Sequence, residues 1–166
     1  MANLPPAPQS FKPAGRVLRA EFSVSPHVRR KRYTGRRLEG IRYERKVHEY
    51  LGELFPDRYV QSPWLKFFPA GECWRWCQPD GLLIDVPNGR LTIVEVKYQH
   101  TSDAWYQVKH LYLPVLQMIF HPQLWEYDFC EIVKWYDPAV VFPEPVVLAH
   151  EVDMRHRNFK VHIWKP

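Results

Sequence analysis

The 166-residue chain is 46% apolar and 15% aromatic, with 16 prolines against 7 glycines, a composition that suits one folded domain with a sizeable core and excludes a disordered or fibrous chain. No apolar run approaches the roughly 18 residues of a membrane span, the opening MANLPPAPQS lacks the basic and apolar blocks of a secretory leader, and Cys73, Cys77 and Cys130 form an odd set that suits a reducing compartment; a cytoplasmic, non-secreted protein with no membrane partner is expected. Of the formal charge of +5, residues 12–46 carry +9, from 12 of the 23 Lys and Arg and 3 of the 18 Asp and Glu, which leaves −4 for the rest and points to a polyanion such as nucleic acid.

Residues 1–15 are rich in Pro and Ala, and the chain from 16 to 37 is strongly basic. An extended basic arm over 1–35 is expected, in which Arg29, Arg30, Lys31 and Arg32, followed by Arg36 and Arg37, displace counterions from a phosphate backbone. A solvated charged loop is the plainer alternative. Residues 36–55 (RRLEGIRYERKVHEYLGELF) place Leu38 or Ile41, then Val47, Tyr50 or Leu51, and Leu54 at helical spacing. Gly40 weakens the first turn, so the regular helix is expected nearer Ile41, and Pro56-Asp57 ends it. Glu44 lies on or beside the apolar stripe of this helix, an unusual place for a carboxylate.

Strands are expected over 58–69, with Pro63 at an edge or bulge, over 72–86, and over 91–98 after a Pro87-Asn88-Gly89 turn. A helix follows at about 102–120, capped by Thr101 or Ser102 and kinked or divided by Pro114. Residues 127–135 (YDFCEIVKW) read as a fourth strand. Segments 144–149 and 159–164 are expected to add edge strands or a C-terminal hairpin. The fold class is α/β, with residues 36–166 as one domain built on a central mixed sheet flanked by helices.

Segment 91–98 (LTIVEVKY) is a run that normally makes a strand buried on both faces. Side chains alternate along a strand, so Ile93, Glu95 and Lys97 share one face and Val94 and Val96 the other. An isolated charge there costs several kcal/mol to bury. Two charges on one face, with Asp80 close by in Gln78-Pro79-Asp80-Gly81, indicate a site at the sheet's rim.

Pro79-Asp80, a spacer of fourteen residues, and then Glu95-Val96-Lys97, set in a helix, three-strand, helix, strand order, resembles the PD-(D/E)XK nuclease superfamily. The likeness covers roughly residues 40–135. It implies a restriction-endonuclease-like αβββαβ core with extra C-terminal strands, and hydrolysis of DNA phosphodiester bonds with Mg²⁺, for which Mn²⁺ can substitute. Endonuclease action is favoured over exonuclease action; a phage or mobile-element setting is implied, with virion association if phage-encoded, as is a partner protein or homo-oligomer that supplies specificity. By the same resemblance Asp80, Glu95 and the Val96 carbonyl are metal ligands and Lys97 orients or deprotonates the attacking water. Glu44, in the pattern Gly40-x-x-Tyr43-Glu44, matches the helix carboxylate of the family, with Glu39 and Glu49 out of phase. Gln107, with Tyr112 further on, resembles the catalytic Gln of exonuclease branches, and a solvent-facing Gln is an equal alternative. The metal chemistry fits: Mg²⁺ takes hard oxygen ligands and retains waters, so two carboxylates and a carbonyl suffice. A DNA-binding or structural module that keeps the fold without turnover is the alternative function.

Other residues carry less. Asp85 falls on the face opposite Asp80 and is expected in solvent. Cys73 and Cys77 lack zinc spacing. His100 and His110 flank the site region, and His48, His121, His150, His156 and His162 are expected at the surface. No GxxxxGK[ST] motif is present, so the chain has no phosphate-binding loop of a motor.

Overall fold

The expected buried strand is the centre of the molecule. In a computed structural model, which describes residues 7–26, 33–149 and 159–166, Arg90–Gln99 forms one strand with every residue from Leu91 to Val96 buried. Taken in chain order, the elements are β1 (Val17–Ser23), α1 (Arg36–Leu54), β2 (Tyr59–Gln61), β3 (Trp64–Pro69), β4 (Arg75–Cys77), β5 (Gly81–Asp85), β6 (Arg90–Gln99), α2 (Asp103–Gln107), a π-helical turn (Val108–Tyr112), α3 (Leu113–Ile119), β7 (Glu126–Trp135), β8 (Val147–Ala149) and β9 (Phe159–Ile163).

Six strands make a mixed sheet in the order β2-β5-β6-β7-β9-β8, and β1, β3 and β4 make a second, smaller sheet. β5 and β6 pair antiparallel, with Gly81 opposite Val94, whereas β6, β7 and β9 run parallel, with Glu95 opposite Glu131. The parallel strands need a covered face on each side, and the alternation of side chains supplies both. Leu82, Leu91, Ile93, Phe129 and Phe159 pack with Val108, Val115 and Leu116 of the helix on one face. Leu83, Val94, Val96, Cys130 and Ile132 pack with Tyr43, Val47 and Leu51 of α1 on the other. The second sheet joins the first of these cores through Leu65, Phe67 and Cys77. The architecture is thus mixed α/β with helices on both faces of the central sheet, and no helix among the described residues is long and apolar enough to cross a membrane.

Several expectations are corrected. The strand expected over 58–69 is two strands in two sheets, because Ser62 takes a left-handed φ of 43° and Pro63 follows, which turns the chain between β2 and β3. The stretch 72–86 likewise divides into β4 and β5 around the Gln78-Pro79-Asp80 bend. The C-terminal strands are no hairpin: β9 sits inside the sheet between β7 and β8, parallel to both. The arm drawn over 1–35 is in part a strand, since β1 pairs antiparallel with β3 from Val17 to Ser23 and Ala14 is fully buried. α1 runs from Arg36, so Gly40 interrupts nothing. At the β5–β6 turn Gly89 has φ 58°, and a Cβ there would meet the Leu124 carbonyl oxygen at 2.8 Å; turn geometry and close approach both require glycine.

Candidate active site

β5 ends its pairing with β6 at Gly81 opposite Val94, so the β6 backbone beyond that point has no strand on that side. Asp80, the residue just before β5, fills the place: its Oδ2 accepts the Val96 N–H at 2.7 Å. The bend that aims Asp80 is tied down from below. Ser62 N donates to the Asp80 carbonyl at 2.9 Å and Gln78 Nε2 donates to the Ser62 carbonyl at 2.7 Å. Burial raises the Asp80 carboxyl to about 6, and the charge of Glu44 adds to this against the opposing pull of Lys97, the Val96 N–H and His48.

Glu95 and Lys97 share a face of β6 as alternation requires. Lys97 Nζ donates to Glu95 Oε1 at 2.5 Å and to Gln107 Oε1 at 2.8 Å. Gln107 is the last residue of α2, directly before the π turn, a helix irregularity that recurs at functional sites. Glu95 is buried, and its Oε2 has no hydrogen-bond partner among the described residues. Burial raises its carboxyl, with Asp80 adding to the rise and Lys97 working against it. For Lys97 burial favours the neutral amine, but Glu95 and then Asp80 outweigh it and hold the group as an ammonium above the usual lysine range. Tyr112, buried beneath the cluster, has its phenol pushed well up by burial and then by Glu95 and Asp80.

Glu44 reaches this end of the sheet from α1 but makes no hydrogen bond to Asp80 or Glu95; its side chain is 38% exposed and its Oε1 lies 3.3 Å from His48 Nε2. His48, expected at the surface, is 7% exposed. Its Nδ1 lies 2.5 Å from the Tyr59 hydroxyl. Tyr59 in turn packs over Gly81, where a Cβ would meet its ring at 2.5 Å, so the glycine after Asp80 makes room for the Tyr59–His48–Glu44 chain. The Tyr59 phenol is raised by burial, then by Asp80 and Glu44.

A second buried pair lies behind Lys97. Glu131, the register partner of Glu95 on β7, bonds His100 Nδ1 at 2.7 Å and accepts the Thr101 N–H at 3.3 Å. His100 and Glu131 are 3% and 0% exposed. Burial raises the Glu131 carboxyl against the opposing effect of His100. The pair fixes the β6–α2 connection and with it the approach of Gln107 to Lys97.

The structure therefore brings Asp80, Glu95, Val96, Lys97 and Gln107 together and places Glu44 at their margin. Arg36 and Arg37 are exposed at the start of α1, with the Arg37 guanidinium 4.8 Å from the Tyr33 ring centroid, and take no part in the cluster. Arg29, Arg30, Lys31 and Arg32 lie outside the described residues. Asp85, expected in solvent, is buried and bonded to Arg58 and Asn88. His110 packs against Trp105 and Tyr106. His162, also expected at the surface, is buried. Glu131 had a readable signal: Cys130-Glu131-Ile132-Val133 is as apolar around its carboxylate as Val94-Glu95-Val96. His48 had one too, four residues after Glu44 and next to the buried Val47.

Among the described residues no three His, Cys, Asp or Glu side chains form a group that could hold an ion by themselves. Mg²⁺ asks for less, since it keeps several waters and takes one or two carboxylates. The donor set fits that demand in one respect: Glu95 Oε2 is a buried acceptor without a donor among the described residues. No family model, curated protein or solved structure matches the chain.

Proposed function

We propose that the chain is a Mg²⁺-dependent deoxyribonuclease that acts on internal phosphodiester bonds, with the site at Asp80, Glu95 and Lys97. One observation carries it. A half-buried ammonium is held between Glu95 and Gln107 beside a second carboxylate, while the buried Glu95 Oε2 is left with no donor among the described residues; a cation and an anionic substrate together complete such an arrangement. Asp80 and Glu95 would hold the ion, with Glu44 at the margin. The Val96 carbonyl would join them, because the N–H and C=O of one strand residue point the same way and its N–H already points to Asp80. When bound, Mg²⁺ supplies charge neutralisation at the phosphoryl oxygens and a water of lowered pKa.

The residues of the chain do the rest. Lys97, kept as an ammonium by Glu95 and Asp80, is suited to orient a water and to stabilise negative charge growing on the phosphate, and less suited to remove a proton. Gln107 fixes its direction, leaving the remaining donor capacity of Nζ for the reacting group. His48 and Tyr59 hold Glu44 toward the site. The element order α1, β2, β5, β6, helix, β7 within the six-stranded sheet supports the same reading, as does the motif. Incubation with supercoiled, linear and single-stranded DNA in Mg²⁺, Mn²⁺ or EDTA is the test. Metal-dependent nicking of closed circles is expected, with Asp80→Ala and Lys97→Ala reduced by at least about a hundredfold. Loss only from ends would make it an exonuclease. Binding without cleavage in any metal, with both variants equal to wild type, would leave a DNA-binding module and sink the enzyme.

A further inference from the structure

Tyr98, Lys134 and Pro166 stand at the carboxyl ends of the parallel strands β6, β7 and β9, and together with Glu39, Arg42, Tyr43 and Lys46 of α1 they line a cavity of about 240 Å³. The crevice beyond the carboxyl ends of parallel strands is where open α/β sheets bind ligands. Arg42 and Lys46 are one helical turn apart and stack on the same side of α1. Neither they nor Lys134 has an ion-pair partner among the described residues, and Glu39 is the one carboxylate side chain on the wall. Lys134 Nζ lies 5.3 Å from the Tyr98 ring centroid and 5.9 Å from that of Trp135, which is 48% exposed beside it. Three unpaired cations around one small cavity repel each other, and an anion of phosphate size relieves this. The neighbouring flat, partly open rings offer a face to a base.

The cavity lies on the α1 face of the sheet, at the same end as the Asp80–Glu95 cluster. On α1 the residues Glu39, Arg42 and Lys46 flank one side of the buried Tyr43–Val47–Leu51 stripe, and Glu44 and His48 flank the other. Asp80 lies at the same end of the sheet, because β5 runs antiparallel to β6. Resting on the nucleic-acid reading above for the identity of the polyanion, we propose that the Arg42–Lys46–Lys134 cavity is a phosphate subsite for a nucleic acid strand, one that holds the backbone beside the bond at Asp80 and Glu95. The shared chemistry is a phosphate oxyanion, from a strand or from free phosphate.

Fluorescence anisotropy with a labelled single strand of about 15 nucleotides, in EDTA so that hydrolysis plays no part, tests this on the full chain. Lys46→Ala with Lys134→Ala is compared with Lys12→Ala with Lys66→Ala, which removes equal charge from the segment before β1 and from β3 of the second sheet. The cavity pair is expected to weaken binding about tenfold at ~100 mM salt and to flatten the slope of log K against log salt by about 0.7 to 1.4, the value for one or two phosphates on a single strand. The second pair is expected to stay within about twofold of wild type. Equal behaviour of the two pairs overturns the subsite. Inorganic phosphate or a nucleoside monophosphate binding as tightly as the strand, with the same dependence on Lys134, overturns the strand assignment in favour of free phosphate. If wild type binds through the cavity but cleaves nothing with Mg²⁺, the nuclease reading fails and the subsite stands; if it cleaves while the cavity pair binds as wild type does, the subsite alone fails.

Discussion

Glu95 and Glu131 are side-by-side carboxylates on paired strands, both buried, yet they meet opposite fates. Glu131 has His100 on one oxygen and the Thr101 N–H on the other, which is how a buried charge is stabilised within a fold. Glu95 has Lys97 on Oε1 and, among the described residues, nothing on Oε2. A group left short of partners in a well-packed protein marks function or an unmet ligand rather than stability. Glu95→Gln should therefore stabilise the metal-free protein, by about 1 kcal/mol, since it removes one of two crowded negative charges while Oε1 of the amide still accepts from Lys97. In wild type a hundredfold excess of Mg²⁺ over its Kd should add about 2.7 kcal/mol, because ligand binds only the folded state; in Glu95→Gln this gain should vanish. Urea unfolding of both proteins in EDTA and in Mg²⁺ measures it, and an equal Mg²⁺ gain in the variant would refute Glu95 as a ligand. The face shared by Ile93, Glu95 and Lys97 was legible in the sequence because strand alternation alone decides it. The Tyr59–His48–Glu44 chain was not, because it depends on a glycine on one strand leaving room for a ring from another.

Helix 103–119 shows what an element's own sequence does and does not disclose. Pro114 is legible as a break, since it lacks the N–H that an α-helix would give to the carbonyl four residues back, at His110. The structure accommodates it with a π turn over Val108–Tyr112, in which Leu113 N bonds the Val108 carbonyl. The freed His110 carbonyl then accepts the Ala14 N–H at 2.8 Å. A proline in one element thus supplies the acceptor that fastens another. Nothing near Ala14 announces this, because the partner is remote in the chain and the only local signal is a small residue amid prolines. Pro114→Ala returns an N–H that competes for the His110 carbonyl. The unfolded chain gains freedom, at a cost of about 0.4–1 kcal/mol to the fold, and the Ala14 amide is released. Hydrogen exchange would report this as faster exchange at residues 11–16, with protection of β6 and β7 unchanged. Slower or unchanged exchange at Ala14 would show that the proline does not govern this hydrogen bond.

For the whole molecule, the basic front end and the fold are not separable as the charge pattern suggests. Residues 12–46 carry the net +9, but within them β1 covers one edge of β3, with Ala20 opposite Phe67 and Phe22 opposite Leu65, and Phe22 meets Phe120, the residue that ends α3, edge-on at 6.0 Å. The strand hid in the sequence for a physical reason. VLRAEFS lies at a sheet edge, with Arg19 and Glu21 exposed, Leu18 and Phe22 also exposed, and a bulge between Val17 and Arg19, so the two-residue alternation that marks a strand is broken. Basic composition then reads as an arm. Deletion of residues 1–34 consequently removes a structural strand together with charge. It bares the β3 edge, a template for unwanted pairing, and exposes to water the apolar surface that Ala14, Val17 and Ala20 cover, including Leu65 and Phe67, at a cost of about 2–4 kcal/mol. Urea unfolding should show the loss as a lowered midpoint, and light scattering should show association of the truncated chain. A truncation that unfolds at the wild-type midpoint would restore the independent arm. Phosphate binding by Arg29, Arg30, Lys31 and Arg32 is better read from substitutions that keep β1: their replacement by Ala should flatten the salt dependence of DNA binding by about 0.9 for each phosphate no longer neutralised. An unchanged slope would place the polyanion on α1 and the sheet ends alone.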